Sequence, residues 1–180
     1  SCFPKDTLAL VRTAADHDVS LSLVGATIAA NARQRFLMVD KIVGACGGDV
    51  SGKTIGLLGL TFKPNTDDIR DAPAIDIATM LMERGARVVA YDPQGMAGAA
   101  LVVRGVVMAE DAYAPADTAD ALVLVTEWNE FRSLDLARVA GVMRHPVFVD
   151  LRNVYRREEM QRAGLRYMSV GRPDAEEPRP

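Results

Sequence analysis

The chain has 180 residues, 49% hydrophobic and 25% charged, enough for a full core in one globular domain with a further helical piece. A formal net charge of -3 excludes general attraction to nucleic acid or anionic membrane, so phosphate recognition would rest on a few placed cations. Two cysteines make no disulfide framework, eight methionines without a secretory leader fit a reducing cytoplasm, and no apolar run reaches the ~18 residues of a membrane span.

Ser1-Cys2-Phe3-Pro4-Lys5-Asp6 places a thiol where a helix begins, and the composition predicts that helix over residues 4–17. Pro4 suits a first helical turn, and Thr7 to Arg12 continue in good helix formers. The helix dipole and Lys5 would favour thiolate at Cys2, and Asp6 could orient or deprotonate a water. The alternative is an inert thiol near a chain start. The missing initiator Met predicts a piece of a longer protein.

After a break at Asp18-Val19-Ser20, a long helix is predicted from Leu21 to Cys46. Its apolar residues Val24, Ile28, Ala32, Phe36, Val39, Val43 and Cys46 recur every three or four positions. Gly47-Gly48 closes it, with Cys46 as a packing residue at its end. Such a helix serves as a connector or dimerisation element, or as a core helix of its own domain. From Lys53 the pattern becomes short apolar runs alternating with helices. Strands are predicted at 54–60, 87–91, 106–108, 121–125, 146–149 and 165–167, and helices at 73–84, 112–116, 133–143 and 156–163. This alternation predicts an α/β fold, a long helical connector followed by a doubly wound Rossmann-like parallel sheet. The expected division is a helical region over 1–48, a sheet domain over 49–172 and a disordered tail over 173–180.

Ligands of such sheets bind beyond the carboxyl ends of the strands. The segment from Thr61 to Pro73 carries Lys63 and Arg70, which could meet a phosphate as a point charge and as a fork, and Asp71, a plausible helix cap. A solvated turn of charged residues is the alternative. Gly56 and Gly59 do not form G-x-G-x-x-G, so the loop is a poor dinucleotide fingerprint. Arg152 ends a later strand and could join Lys63 at a phosphate, whereas Trp128 and Phe131 pack the rim. Asp67, Asp68, Asp71 and Asp92 read as turn and cap residues, and no metal site is predicted.

Cys2-Phe3-Pro4-Lys5-Asp6, Asn31-Ala32-Arg33-Gln34, the segment from Gly59 to Pro73, Thr126-Glu127-Trp128 and Val149-Asp150-Leu151-Arg152-Asn153 together resemble the UDP-glucose/GDP-mannose dehydrogenase family. The likeness runs over nearly the whole chain, and Thr126-Glu127-Trp128 looks more like the UDP-glucose branch than the GDP-mannose or UDP-N-acetylhexosamine branches, with GDP-mannose or another nucleotide sugar as the alternative substrate. The resemblance implies oxidation of UDP-glucose to UDP-glucuronate with two NAD reduced per sugar. It implies Cys2 as the nucleophile, passing through thiohemiacetal and thioester, and Asp6 as the carboxylate associated with water. Lys5 and Arg70 match positions approaching NAD, while Phe62, Lys63 and Arg152 match substrate contacts. It further implies a homodimer through the helix 21–46. NAD would be held mainly by an amino-terminal domain absent from these residues, so the chain alone is expected to bind UDP weakly and to turn nothing over. A non-catalytic nucleotide-binding or dimerisation module is the reading from another class.

Overall fold

The computed structural model describes residues 2–172, with side chains from Pro4 onward. The predicted tail over 173–180 lies outside the described residues. Two helices come first, α1 (Cys2–Ala15) and α2 (Ser22–Ala45). α2 ends as its glycines dictate. Gly47, at φ 86°, donates its N–H to the Gly44 carbonyl and Gly48 donates to that of Val43, satisfying two carbonyls that the last turn leaves open.

The strands β1 (Thr54–Leu58), β2 (Arg87–Tyr91), β3 (Val107–Met108), β4 (Ala121–Leu124), β5 (Val147–Asp150) and β6 (Arg166–Ser169) form one sheet, ordered β3-β2-β1-β4-β5-β6. Every pairing is parallel, with Leu58 opposite Tyr91 on one side and Leu124 on the other. This is the doubly wound order, and its switch point lies between β1 and β4. Every residue of β1, β4 and β5 is buried, because helices cover both faces of the sheet.

Alternation along the strands sorts the side chains into two cores. Ile55, Leu57, Val123 and Val149 pack with α3 (Pro73–Glu83), α4 (Met96–Val102) and the carboxyl-terminal third of α2, whose Val39, Ile42 and Ala45 are buried. Leu58, Leu122, Leu124 and Phe148 face the other way, onto α5 (Asn129–Arg132), α6 (Leu136–Val142) and α7 (Arg157–Arg162). Gly56 is required there, since a Cβ would lie 2.2 Å from the Pro115 carbonyl oxygen.

The apolar stripe of α2 is buried only toward its carboxyl end, and Phe36 is 56% exposed. Several expectations need correction. Residues 112–116 hold only a 3-10 turn at Ala114–Ala116, and the helix predicted from Ser133 starts at Leu136, where the Asp135 side chain accepts from the Arg138 N–H. α4 was not predicted, because its run Met96-Ala97-Gly98-Ala99-Ala100 lacks a marked apolar period. Asp71 does not cap α3. Ala72 holds that position without a side-chain bond, while Asp71 sits at φ 55°.

Candidate functional site

The carboxyl ends of the central strands carry two buried aspartates that fix the loops. Asp92, the residue that follows β2, is fully buried. Its Oδ2 accepts from the Leu60 N–H at 2.7 Å, the Thr61 N–H at 3.0 Å, the Thr61 hydroxyl at 2.9 Å and the Trp128 indole at 3.1 Å. Its Oδ1 accepts from the Gln94 and Gly95 N–H groups. Burial pushes this carboxyl up, but the N–H donors of Leu60, Gln94, Thr61 and Gly95 outweigh it and hold the group below its ordinary value.

Thr126 completes this knot by donating its hydroxyl to the Thr61 carbonyl at 2.7 Å. Gly59 allows the approach: it lies at φ 95°, and a Cβ there would stand 2.4 Å from the Thr126 Cβ. The root of the loop from Thr61 to Ala72 is therefore rigid, and Phe62 leaves it with its N–H bonded to the Asp68 carbonyl.

Asp150 does the same for β5. Fully buried, it accepts from the N–H groups of Arg152, Val154 and Tyr155 and from the Tyr167 hydroxyl at 2.9 Å. Asn153, at φ 57°, then exchanges side-chain bonds with the backbone of Val170, tying the ends of β5 and β6 together.

Between these loops and α2 lies a cleft of about 360 Å³. Its floor is apolar, from Met38, Ile77, Val125 and Leu151, and Phe62 flanks it. Asn31, Gln34 and Arg35 of α2 line one side, and Arg152 and Val170 come from the sheet side. Pro4 brings the start of α1 to the same cleft. Arg35 bonds the Asp76 carboxylate and donates to the Asp71 carbonyl at 3.3 Å, which ties α2 to both α3 and the loop before it. Arg152 donates Nε and Nη2 to the two oxygens of Glu127. This partner and burial act oppositely on Glu127; burial pushes its carboxyl up, and the hydrogen bond from Arg152 contributes to holding it low.

Of the residues singled out by sequence, Phe62 and Arg152 share the cleft, with Pro4 beside them. Lys63 is exposed and is not among the cleft residues. Arg70 lies along the surface, held in a two-pronged pair with Asp68, whose carboxyl is thereby driven well below the usual carboxylate range. Lys5 and Asp6 are exposed and pair with each other at 3.7 Å. The side chain of Cys2 lies outside the described ones, although its backbone opens α1. Arg35 is not among the site residues the sequence singles out, Asp92 reads there only as a turn or cap residue, and Asp150 only as part of the family motif. The first lies off the apolar stripe, and the others resemble any acidic turn residue until the folded backbone supplies their donors.

At the carboxyl end of β1, beside the switch point, Gly59 lies against Thr126, and the Trp128 indole donates to both the Thr61 hydroxyl and Asp92. Among the described residues no three His, Cys, Asp or Glu side chains group as metal ligands, and no helix is long and apolar enough to cross a membrane.

Residues 56–157 match the model of the UDP-glucose/GDP-mannose dehydrogenase family, UDP binding domain. The chain is 54% identical over 174 residues to UDP-glucose 6-dehydrogenase of Rhizobium meliloti, covering 97% of this chain and 40% of that protein. It is 44% identical to UDP-glucose 6-dehydrogenase TuaD of Bacillus subtilis, with 96% and 38% covered. Among solved structures it is similar to a UDP-glucose dehydrogenase from Pyrobaculum islandicum, at a TM-score of 0.78 and 33% identity over 93% of this chain and 36% of the other. The chain thus spans about 40% of the length of the curated relatives it matches. With its doubly wound sheet and the family model aligned from within β1 through β5, the chain belongs to the UDP-glucose/GDP-mannose dehydrogenase family.

Proposed function

We propose that this chain holds the nucleotide portion of UDP-glucose during its NAD-dependent oxidation to UDP-glucuronate. The observation that carries the reading is the cleft itself. Phe62 and Arg152, from loops far apart in sequence, meet there beside Pro4, which stands between Cys2 and Asp6 in α1. An apolar floor with a ring at its edge suits a nucleoside, and a guanidinium at the rim suits a diphosphate.

In this reading Phe62, Lys63 and Arg152 contact the substrate, with Lys63 supplying an exposed positive charge outside the cleft. Cys2 captures the oxidised C6 carbon through its sulfur, and Asp6 directs the water that releases the uronate. Lys5 and Arg70 would be exposed cations on the approach of NAD, which when bound would supply hydride acceptance, one hydride for each of two NAD per sugar. The sheet of this chain does not itself cradle the dinucleotide. The helical region over 1–48 serves pairing of two copies and the domain over 49–172 serves substrate binding. Leu23, 83% exposed, and the exposed Phe36 and Leu37 support a homodimer through helix 21–46. The cytoplasm, with its reducing poise and sugar nucleotides, is the compartment this reading implies.

Thermal unfolding of the chain with UDP and with GDP tests the ligand class. A nucleotide at a hundred times its dissociation constant stabilises by about 2.7 kcal/mol. UDP should raise the midpoint and GDP should not; the opposite order would move the assignment to the GDP-mannose branch, and no shift with either would remove it.

A further inference from the structure

Arg152 is held at two levels. Its backbone N–H donates to the fully buried Asp150 at 2.9 Å, and its guanidinium meets Glu127 edge to edge, with Nη2 at 2.8 Å from Oε1. Glu127 itself has little freedom. It stands between Thr126, whose hydroxyl is bonded to the Thr61 carbonyl, and the buried Trp128, whose indole is bonded to Asp92. Its side chain is 26% exposed, against 43% for Arg152, so the carboxylate is the more enclosed member of the pair.

A guanidinium has five N–H donors in a rigid fork. The pair with Glu127 uses the edge formed by Nε and Nη2, which leaves the Nη1 edge unspent. We propose that Glu127 is a positioning residue, which fixes the side edge of Arg152 so that the remaining edge is presented to the diphosphate of a nucleotide in the cleft. The inference rests on the proposed nucleotide-binding function. A flexible arginine would have to give up side-chain freedom on binding, whereas one already clamped by a carboxylate does not. A competing role is possible on the same geometry: an anion beside the site could simply repel the phosphates and occupy the arginine until ligand arrives. The two roles predict opposite signs.

Titration calorimetry of the 180-residue chain with UDP and with uridine, at one fixed salt concentration, separates them. Positioning predicts that Glu127→Ala weakens UDP about ten-fold, that Glu127→Gln, which keeps one acceptor, loses less, and that uridine is unaffected by either. In an Arg152→Ala background Glu127→Ala should cause no further loss. Unchanged thermal midpoints of the free variants, Glu127→Gln above all, exclude a folding effect. UDP binding that is equal or tighter in Glu127→Ala overturns the inference, as does an equal loss for uridine or a loss that persists without Arg152; in each case UDP binding by the unmutated chain leaves the functional reading intact. Failure of the unmutated chain to bind UDP overturns both.

Discussion

Replacing Asp92 by Asn isolates the knot beneath the loop that carries Phe62. The native carboxylate receives four donors on Oδ2 and two on Oδ1, and it donates to nothing. An amide keeps only one oxygen. Its least costly orientation turns the NH2 toward Gln94 and Gly95, so two charge-assisted bonds are lost and two N–H groups face an N–H donor. At about 1.5–3 kcal/mol for each hydrogen bond to a charged group, the loss is about 3–6 kcal/mol. For a domain of this size each kcal/mol moves the midpoint by about 2–4 °C, so the variant should melt at least about 6 °C lower. Urea unfolding followed by tryptophan fluorescence reports the change directly, because Trp128 touches the altered group. The pH dependence has a definite sign. The folded carboxyl lies below its ordinary value of 3.8, so the ionised group contributes stability above that pH, and the contribution disappears as pH falls through the folded value. The gap between the two proteins should therefore be full at pH 7 and shrink in acid. A loss below about 1 kcal/mol at pH 7 would refute the account of the knot, since no two of these bonds could then be worth their usual amount.

Gly59→Ala and Gly47→Ala both place a side chain at positive φ, but only the first meets an obstacle, Thr126 at 2.4 Å, while the second has nothing within 4 Å. Chemical denaturation should show a loss of about 1–2 kcal/mol for Gly47→Ala and about 2–5 kcal/mol for Gly59→Ala; equal losses would mean that the close approach carries no cost. Tyr167→Phe removes the hydroxyl that donates to Asp150 and leaves that buried carboxylate one donor short, so stability should fall by about 1.5–3 kcal/mol, measured by the urea midpoint at constant slope.

Sequence periodicity read the sheet well because its central strands lie between helices. Buried strands such as Thr54–Leu58 and Ala121–Leu124 then appear as continuous apolar runs, whatever their partners. Gly47 marked a helix end because it takes positive φ, and the chain could not turn there as cheaply with another residue. The site was legible in part. Phe62 and Arg152 stand next to strand ends, so topology alone brings them to one rim. The pairing of Arg152 with Glu127 and of Arg35 with Asp76 was not legible, since each joins residues whose separation along the chain has no period or motif. Asp71 misled because an aspartate before a proline-initiated helix is a common cap, whereas here Arg35 claims its carbonyl and the backbone turns through φ 55° instead.

Asp92 and Asp150 hold their loops mainly through main-chain N–H groups, which every residue type except proline possesses. Side chains farther out, such as Lys63 and Arg70, can thus be exchanged without unfastening the loops that bear them. The protein separates the question of where its recognition surface sits from the question of what that surface recognises, and a designer could rewrite the second while leaving the first untouched.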